Sequence, residues 1–278
     1  MRINLAKSAG FCFGVKRAFD IAIKTANENK NIFMLGDIVH NEKVVKEIEQ
    51  AGIKKIKKLK LAKGEILLIR AHGESKTIFN KAKKLGYKIV DATCPMVKEI
   101  HKIAKRMENK KYKILVIGDK DHDEVRGIIG QLKNKAIVIE NLNCIPWDKI
   151  KKTKKACLVT QSTQNLEKVK EIFSVLNKYL PKLKFFNTIC KPTQVKQEEI
   201  RILPKKNDCV IIIGSKNSAN TKRLYEISKA LNKNTWWVNS KNEIRAYWFK
   251  NCRSVGITAG ASTPKKSIND IIDYIKEF

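Results

Sequence analysis

Residues 87–107 read YKIVDATCPMVKEIHKIAKRM. A short apolar run ends in polar and small residues at Asp91-Ala92-Thr93-Cys94, and a helical pattern begins at Pro95. The same unit recurs along the chain. NIFMLGDIVH precedes NEKVVKEIEQAG, EILLIRAHG precedes ESKTIFNKAKKLG, and YKILVIGDKDH precedes DEVRGIIGQL. ACLVTQST precedes QNLEKVKEIFSVLNKYL, LKFFNTIC precedes KPTQVKQEEIRIL, DCVIIIGSKNS precedes ANTKRLYEISKAL, and SVGITAGAS precedes TPKKSINDIIDYIKEF. The unit also opens the chain, where the run from Ile3 to Ala6 leads into AGFCFGVKRAFDIA, with Val15, Ala18, Phe19 and Ala22 on one helix face. Strands that are apolar throughout, alternating with helices, predict parallel sheets covered on both faces, an α/β fold.

In such folds ligands bind beyond the carboxyl ends of the strands, where helix N-termini offer N–H groups and partial positive charge. The residues at these corners are therefore the candidate site: Cys12, His40, His72, Cys94, His122 with Glu124, Gln161-Ser162-Thr163, Cys190, Ser218 to Asn220, and Ser262. Cys12, Cys94 and Cys190 share one kind of corner at spacings of 82 and 96 residues. Three lobes of similar length, each offering one thiolate, would meet about a pseudo-threefold axis.

The other cysteines differ. Cys157 and Cys209 lie inside apolar runs and fit the core, while Cys144 and Cys252 sit in loop-like or edge stretches without a helix start. Seven cysteines, an odd number with no CxxC pair, speak against a disulfide framework and exclude zinc-finger or thioredoxin-like motifs.

With 278 residues, 43% of them hydrophobic, the chain can bury a large core. No apolar stretch nears the roughly 20 residues of a membrane span. The start MRINLAKSAG lacks the apolar segment of a secretory signal, so a cytoplasmic location is expected. Lys and Arg number 58 against 27 Asp and Glu, a formal net charge of +31. The lysines are spread over the chain and are not interleaved with aromatics, which favours a solvated surface over a nucleic-acid face. Such a field still draws anionic substrates and acidic partners.

Three converging thiolates suit zinc completed by a histidine, or an iron–sulfur cubane with one iron left open as a Lewis acid. Three of the four histidines sit at strand ends, and His101 lies on a helical run that reads as structural. The corner histidines allow a metallohydrolase, since GDKDHDE is similar to metallophosphatase motifs, or a phosphate site shared with Ser162, Ser218, Ser262 and the Asn220 amide. GxxxxGK[ST] and GxGxxG are both missing, which excludes nucleotide binding through those motifs. Glu124 could supply a proton, directly or through Ser162, or could simply favour its own helix dipole. A metallohydrolase leaves the cysteines unexplained, and a basic RNA-binding protein explains the charge but none of the corners.

The stretches GFCFGVKRA, GDIVHNEKVV, AHGES, VDATCPMV, HDEVRGIIGQ, VTQST, NTIC, GSKNSANTKRL and GITAGAS run from residue 10 to 262. Together and in this order they resemble the LytB/IspH family of 4-hydroxy-3-methylbut-2-enyl diphosphate reductases. The resemblance implies a trefoil of three α/β lobes around a central [4Fe–4S] cluster, with Cys12, Cys94 and Cys190 as its three ligands and one iron open to the substrate hydroxyl. It implies that His40, His72, His122, Gln161, Ser162, Ser218, Ala219, Asn220 and Ser262 hold the substrate, Ala219 through its backbone N–H alone, and that Glu124 donates the proton with Ser162. The implied reaction takes two electrons, one at a time, from reduced ferredoxin or flavodoxin. It converts (E)-4-hydroxy-3-methylbut-2-enyl diphosphate to isopentenyl and dimethylallyl diphosphates in the non-mevalonate pathway. No membrane and no specific nucleic acid is expected among the partners.

This chain departs from the family pattern in three places: Ser162 replaces the usual Thr, Ala219 the middle of Ser-Ser-Asn, and Lys191-Pro192 a common Asp-Ala. Somewhat weaker substrate binding is expected. The lobes are expected at 13–94, 95–190 and 191–278, with residues 1–12 adding a strand to the third.

Overall fold

The computed structural model describes residues 1–278. The chain opens with β1 (Arg2–Leu5) and α1 (Phe13–Glu28), followed by β2 (Ile32–Leu35), α2 (Glu42–Gln50), β3 (Ile53–Ile56), β4 (Ile66–Ile69), α3 (Lys76–Lys84) and β5 (Lys88–Asp91). Next come α4 (Pro95–Asn109), β6 (Lys113–Ile117), α5 (Asp123–Ile129), β7 (Ile137–Ile139), α6 (Trp147–Lys151), β8 (Ala156–Thr160), α7 (Leu166–Tyr179) and β9 (Leu183–Phe185). The last stretch holds α8 (Lys191–Ile202), β10 (Cys209–Ile213), α9 (Ala219–Leu231), β11 (Thr235–Val238), β12 (Ser254–Ala259) and α10 (Lys265–Ile275).

The strands form three four-stranded sheets, and every pairing is parallel. Sheet A has the order β1-β12-β10-β11, sheet B β5-β4-β2-β3, and sheet C β9-β8-β6-β7. The expected α/β class with parallel sheets is thus observed, three times over. The N-terminal strand β1 pairs with β12, with Arg2 opposite Ser254 and Leu5 opposite Ile257.

By internal packing the chain divides into two compact units. One comprises Met1–Lys16, Val39–Glu47 and Lys191–Phe278 and contains sheet A; the other comprises Arg17–Ile38 and Ile48–Cys190 and contains sheets B and C.

Central strands need apolar residues on both faces because helices cover both. In sheet C, Leu115, Ile117, Ala156 and Leu158 pack with Val169, Ile172 and Leu176 of α7. The alternate residues Ile114, Val116, Cys157 and Val159 pack with Ile100, Ile103 and Ala104 of α4 and Val125 and Ile128 of α5. Sheet A repeats the division, with Ile211 and Ile257 against α10 and Val210 and Ile212 against Ile200 and Leu224. Each such aliphatic side chain contributes about 1.5–3 kcal/mol by leaving water. No helix is long and apolar enough to cross a membrane.

Three strands escaped the sequence pattern: β3, β7 and β11. Each is the far edge of its sheet. β3 reads IKKI and shows no continuous apolar run, while β7 is apolar throughout but only three residues long. The short helix α6 was missed for the same reason of length.

Candidate functional site

One backbone bond repeats in each sheet. The Cys12 N–H donates to the Ala261 carbonyl at 3.0 Å, the Cys94 N–H to Ala71 at 2.9 Å, and the Cys190 N–H to Ser162 at 3.0 Å. In every case the cysteine follows an edge strand (β1, β5, β9), and its acceptor lies two residues past the end of the neighbouring strand (β12, β4, β8). The third strand in each order, β10, β2 or β6, leads to Ser218–Asn220, to His40, or to His122 and Glu124. The candidate residues therefore occupy matching corners of three similar sheets.

Each of these cysteines stands immediately before a helix, α1, α4 or α8. The Val15 N–H donates to Cys12 Sγ at 3.4 Å. Cys94 is the N-cap of α4, with Pro95 at the first helical position. All three are half-buried and none is in a disulfide. The core cysteines contrast with them: burial pushes the Cys157 thiol up to about 12, and raises Cys209 further, with the Cys252 thiol beside it adding to the effect. Cys144 is exposed.

In the first unit, Ser262 Oγ donates to the His40 carbonyl at 3.1 Å, joining two candidate corners. Ser218 caps α9 by accepting the Thr221 N–H, and Ala219 is the first residue of that helix. Asn220 is only 3% exposed; its Oδ1 accepts the Ala261 N–H at 2.9 Å, while its Nδ2 donors meet no partner in the protein. A buried amide donor left over in this way calls for an acceptor from outside the chain. Lys196 of α8 is 2% exposed and donates to the carbonyls of Ser8, Gly10 at 3.0 Å and Ala259 at 3.1 Å. Glu199, one turn on, accepts the Ser8 N–H at 3.0 Å. The loop leading to Cys12 is thus clamped by the helix that follows Cys190.

In the second unit, Glu124 is 1% exposed and accepts from both the N–H and the Oγ of Ser162, the latter at 2.7 Å. Burial raises its carboxyl to about 7, against the lowering effect of the two Ser162 bonds. His122 caps α5, its Nδ1 accepting the Glu124 N–H at 3.1 Å. A neutral His122 therefore carries its proton on Nε2, as a donor. The His72 ring meets the His122 ring edge to face at 5.5 Å between centroids. His101 packs beneath this turn: a Cβ on Gly73 would lie 2.9 Å from His101 Cε1, and burial lowers His101 to about 4, so it stays neutral.

Gln161 is fully buried, accepting the Asp119 N–H at 2.9 Å and donating to Thr163 Oγ1 at 2.9 Å. Sequence reading overlooked Arg70, Asp123 and Lys196. The signal for Arg70 was a charge closing an otherwise apolar strand. For Lys196 it was a lysine sharing a helix face with Thr193 and Ile200, both buried.

The chain matches the family described as LytB protein over residues 3–276. It is 40% identical over 281 residues to the 4-hydroxy-3-methylbut-2-enyl diphosphate reductase of Caldanaerobacter subterraneus subsp. tengcongensis, covering 99% of this chain and 97% of that one. It is 38% identical to the protein of the same name from Aquifex aeolicus, covering 99% and 96%. Among solved structures, an (E)-4-hydroxy-3-methyl-but-2-enyl diphosphate reductase, described as the terminal enzyme of the non-mevalonate pathway, matches with TM-score 0.73 and 37% identity over the full length of both chains. The Plasmodium falciparum reductase matches with TM-score 0.91 and 29% identity, over 98% of this chain and 87% of that one. The chain belongs to the LytB family.

Proposed function

We propose that this protein reduces (E)-4-hydroxy-3-methylbut-2-enyl diphosphate to isopentenyl and dimethylallyl diphosphates. Two electrons and two protons enter, the allylic C–O bond breaks, and the hydroxyl leaves as water. The observation that carries this reading is the buried Glu124 carboxyl. It is held near neutrality and bonded to Ser162, whose own carbonyl accepts the Cys190 N–H. A proton source is thereby tied to a thiolate corner through a single residue. With its carboxyl at about 7, Glu124 is substantially protonated at neutral pH and can give its proton directly or through Ser162 Oγ.

Cys12, Cys94 and Cys190 fit a soft-metal centre: three half-buried thiols at helix N-termini, each with its backbone already satisfied. They would hold one [4Fe–4S] cluster, which supplies the electrons and, at the iron without a thiolate, a Lewis acid. His40, His72, His122, Ser218, Asn220, Ser262 and the Ala219 N–H would take the diphosphate, with Gln161 bracing the Ser162 corner. The unpartnered Asn220 Nδ2 and the Nε2–H of His122 supply donors of the kind an anion needs. Gripping that end fixes the carbon chain and presents its hydroxyl to Glu124 and Ser162. The lobes 13–94, 95–190 and 191–278 would each bring one cysteine, with residues 1–12 completing the third. Reduced ferredoxin or flavodoxin, both acidic, would deliver electrons to a protein of charge +31 in the cytoplasm.

The test is purification without oxygen, followed by assay with the allylic diphosphate and a chemical reductant. The expected result is a brown protein with about four irons per chain that forms both isomeric products. A colourless zinc protein that hydrolyses phosphate esters, or a metal-free protein that retains RNA in a salt-sensitive way, overturns the reading.

A further inference from the structure

We propose that Arg70 is a positioning residue for diphosphate binding, holding the His72 and His122 corners in register through ion pairs with Glu74 and Asp123. The inference rests on the substrate reading above and adds residues that reading does not use. Arg70 directly follows β4, whose four residues are all buried, and its side chain is 15% exposed. Nη2 pairs with Glu74 Oε1 at 2.6 Å, and Nη1 with Asp123 Oδ2 at 2.7 Å. Glu74 lies two residues past His72, while Asp123 stands between His122 and Glu124. One guanidinium thus joins the turn after β4 to the start of α5, elements of two different sheets' corners.

The surroundings are shaped to receive it. Gly36, with φ +74°, lies under the guanidinium, and a Cβ there would sit 3.0 Å from Nη1. The Arg70 carbonyl accepts the Gly73 N–H at 3.0 Å, closing a tight turn around His72. Ala71, inside that turn, donates to the Ile38 carbonyl at 3.0 Å and accepts the Cys94 N–H. Helix α5 comes close on the other side, where a Cβ on Gly127 would lie 3.4 Å from the His72 carbonyl. Against this frame the two imidazoles meet edge to face at 5.5 Å.

One guanidinium reaches two carboxylates at once through separate nitrogens, a span that the single ammonium of a lysine does not reproduce. Because the pairs are partly buried, removing one partner strands the other. Imidazole donors contribute to anion affinity only when they converge, and misplacement by about 1 Å is costly.

The test uses the cluster-loaded protein under anaerobic conditions, with inorganic diphosphate as the calorimetric probe. Arg70→Gln and Asp123→Asn should each raise the diphosphate Kd about tenfold, and the loss should fall on KM rather than kcat. The double variant should be little worse than Arg70→Gln alone, since that substitution already removes the Asp123 pair. Arg70→Lys should not rescue affinity. Should Arg70→Gln fail to fold, Asp123→Asn, which preserves shape, carries the test with Arg70→Lys. Variants that keep their iron and bind diphosphate within twofold of wild type overturn the role of Arg70, as do fully additive losses. A wild-type protein that does not bind inorganic diphosphate overturns instead the substrate reading on which the role depends.

Discussion

At the carboxyl ends of sheet A, the Ala261 N–H donates to the side chain of Asn220 and the Ala261 carbonyl accepts from Cys12. At the same place in sheet C, the Ser162 N–H donates to the side chain of Glu124 and the Ser162 carbonyl accepts from Cys190. The two corners share a wiring diagram and differ in one functional group. An amide in that position offers hydrogen bonds and never a proton. A carboxyl in that position, stripped of water, becomes an acid that titrates near neutrality. In sheet B the equivalent N–H, that of Ala71, goes to the Ile38 carbonyl, so no side chain takes that place there. A repeated scaffold thus carries an amide at one corner and an acid at the other, the division between gripping and proton supply that the proposed reaction calls for.

The sharpest way to break this comparison is to make the two corners alike. Glu124→Gln keeps the bond from Ser162 and removes the proton, so turnover should fall by roughly 10²–10⁴ with substrate affinity and iron content retained. In the wild type, kcat/KM should decline as pH rises through about 7, because the acid form of Glu124 is lost. The variant should lack that limb. Stability moves with the same group. Its folded value lies above the unfolded 4.5, so its favourable contribution is complete below that value and lost as pH climbs through about 7. The variant should gain melting temperature over wild type at pH 8 and little at pH 5, the difference amounting to roughly 3 kcal/mol at most.

The converse exchange, Asn220→Asp, sets a carboxylate among the donors proposed to hold an anion. KM should rise by one to two orders of magnitude, and by less at low pH, read from steady-state kinetics across pH. Lys196→Met removes the ammonium that three carbonyls share and should destabilise the first unit by about 2–4 kcal/mol. Hydrogen exchange should quicken at residues 8–12 before it does in sheet C. The smallest effect belongs to Ala219→Ser at the start of α9, where one restored hydroxyl should lower KM a few-fold, about 1 kcal/mol. An unchanged KM would mean that the Ala219 position is not in contact with substrate.

Much of this was legible because parallel sheets write their central strands as unbroken apolar runs, and because a helix must start where such a strand ends. Ile211, Leu67 and Leu158 announce themselves, and so do the Cys12, Cys94 and Cys190 corners beside them. The edge strand β3 does not, since a half-exposed strand such as IKKI needs no continuous apolar face, and β7 is too short to stand out. Arg70 and Lys196 were hidden for another reason. On a chain with 58 basic residues, such a local signal stands out little until the charge's distant partners are known. Asp123 pairs with a residue 53 positions earlier, and Lys196 with carbonyls more than 180 positions away at Ser8 and Gly10.

The bond from each cysteine N–H to the neighbouring loop has a bearing on biogenesis. Those amides are satisfied by protein, whatever the sulfur atoms carry. The apoprotein can therefore finish folding with the backbone of each thiol corner already shaped, and loading of the proposed iron centre would be a late step.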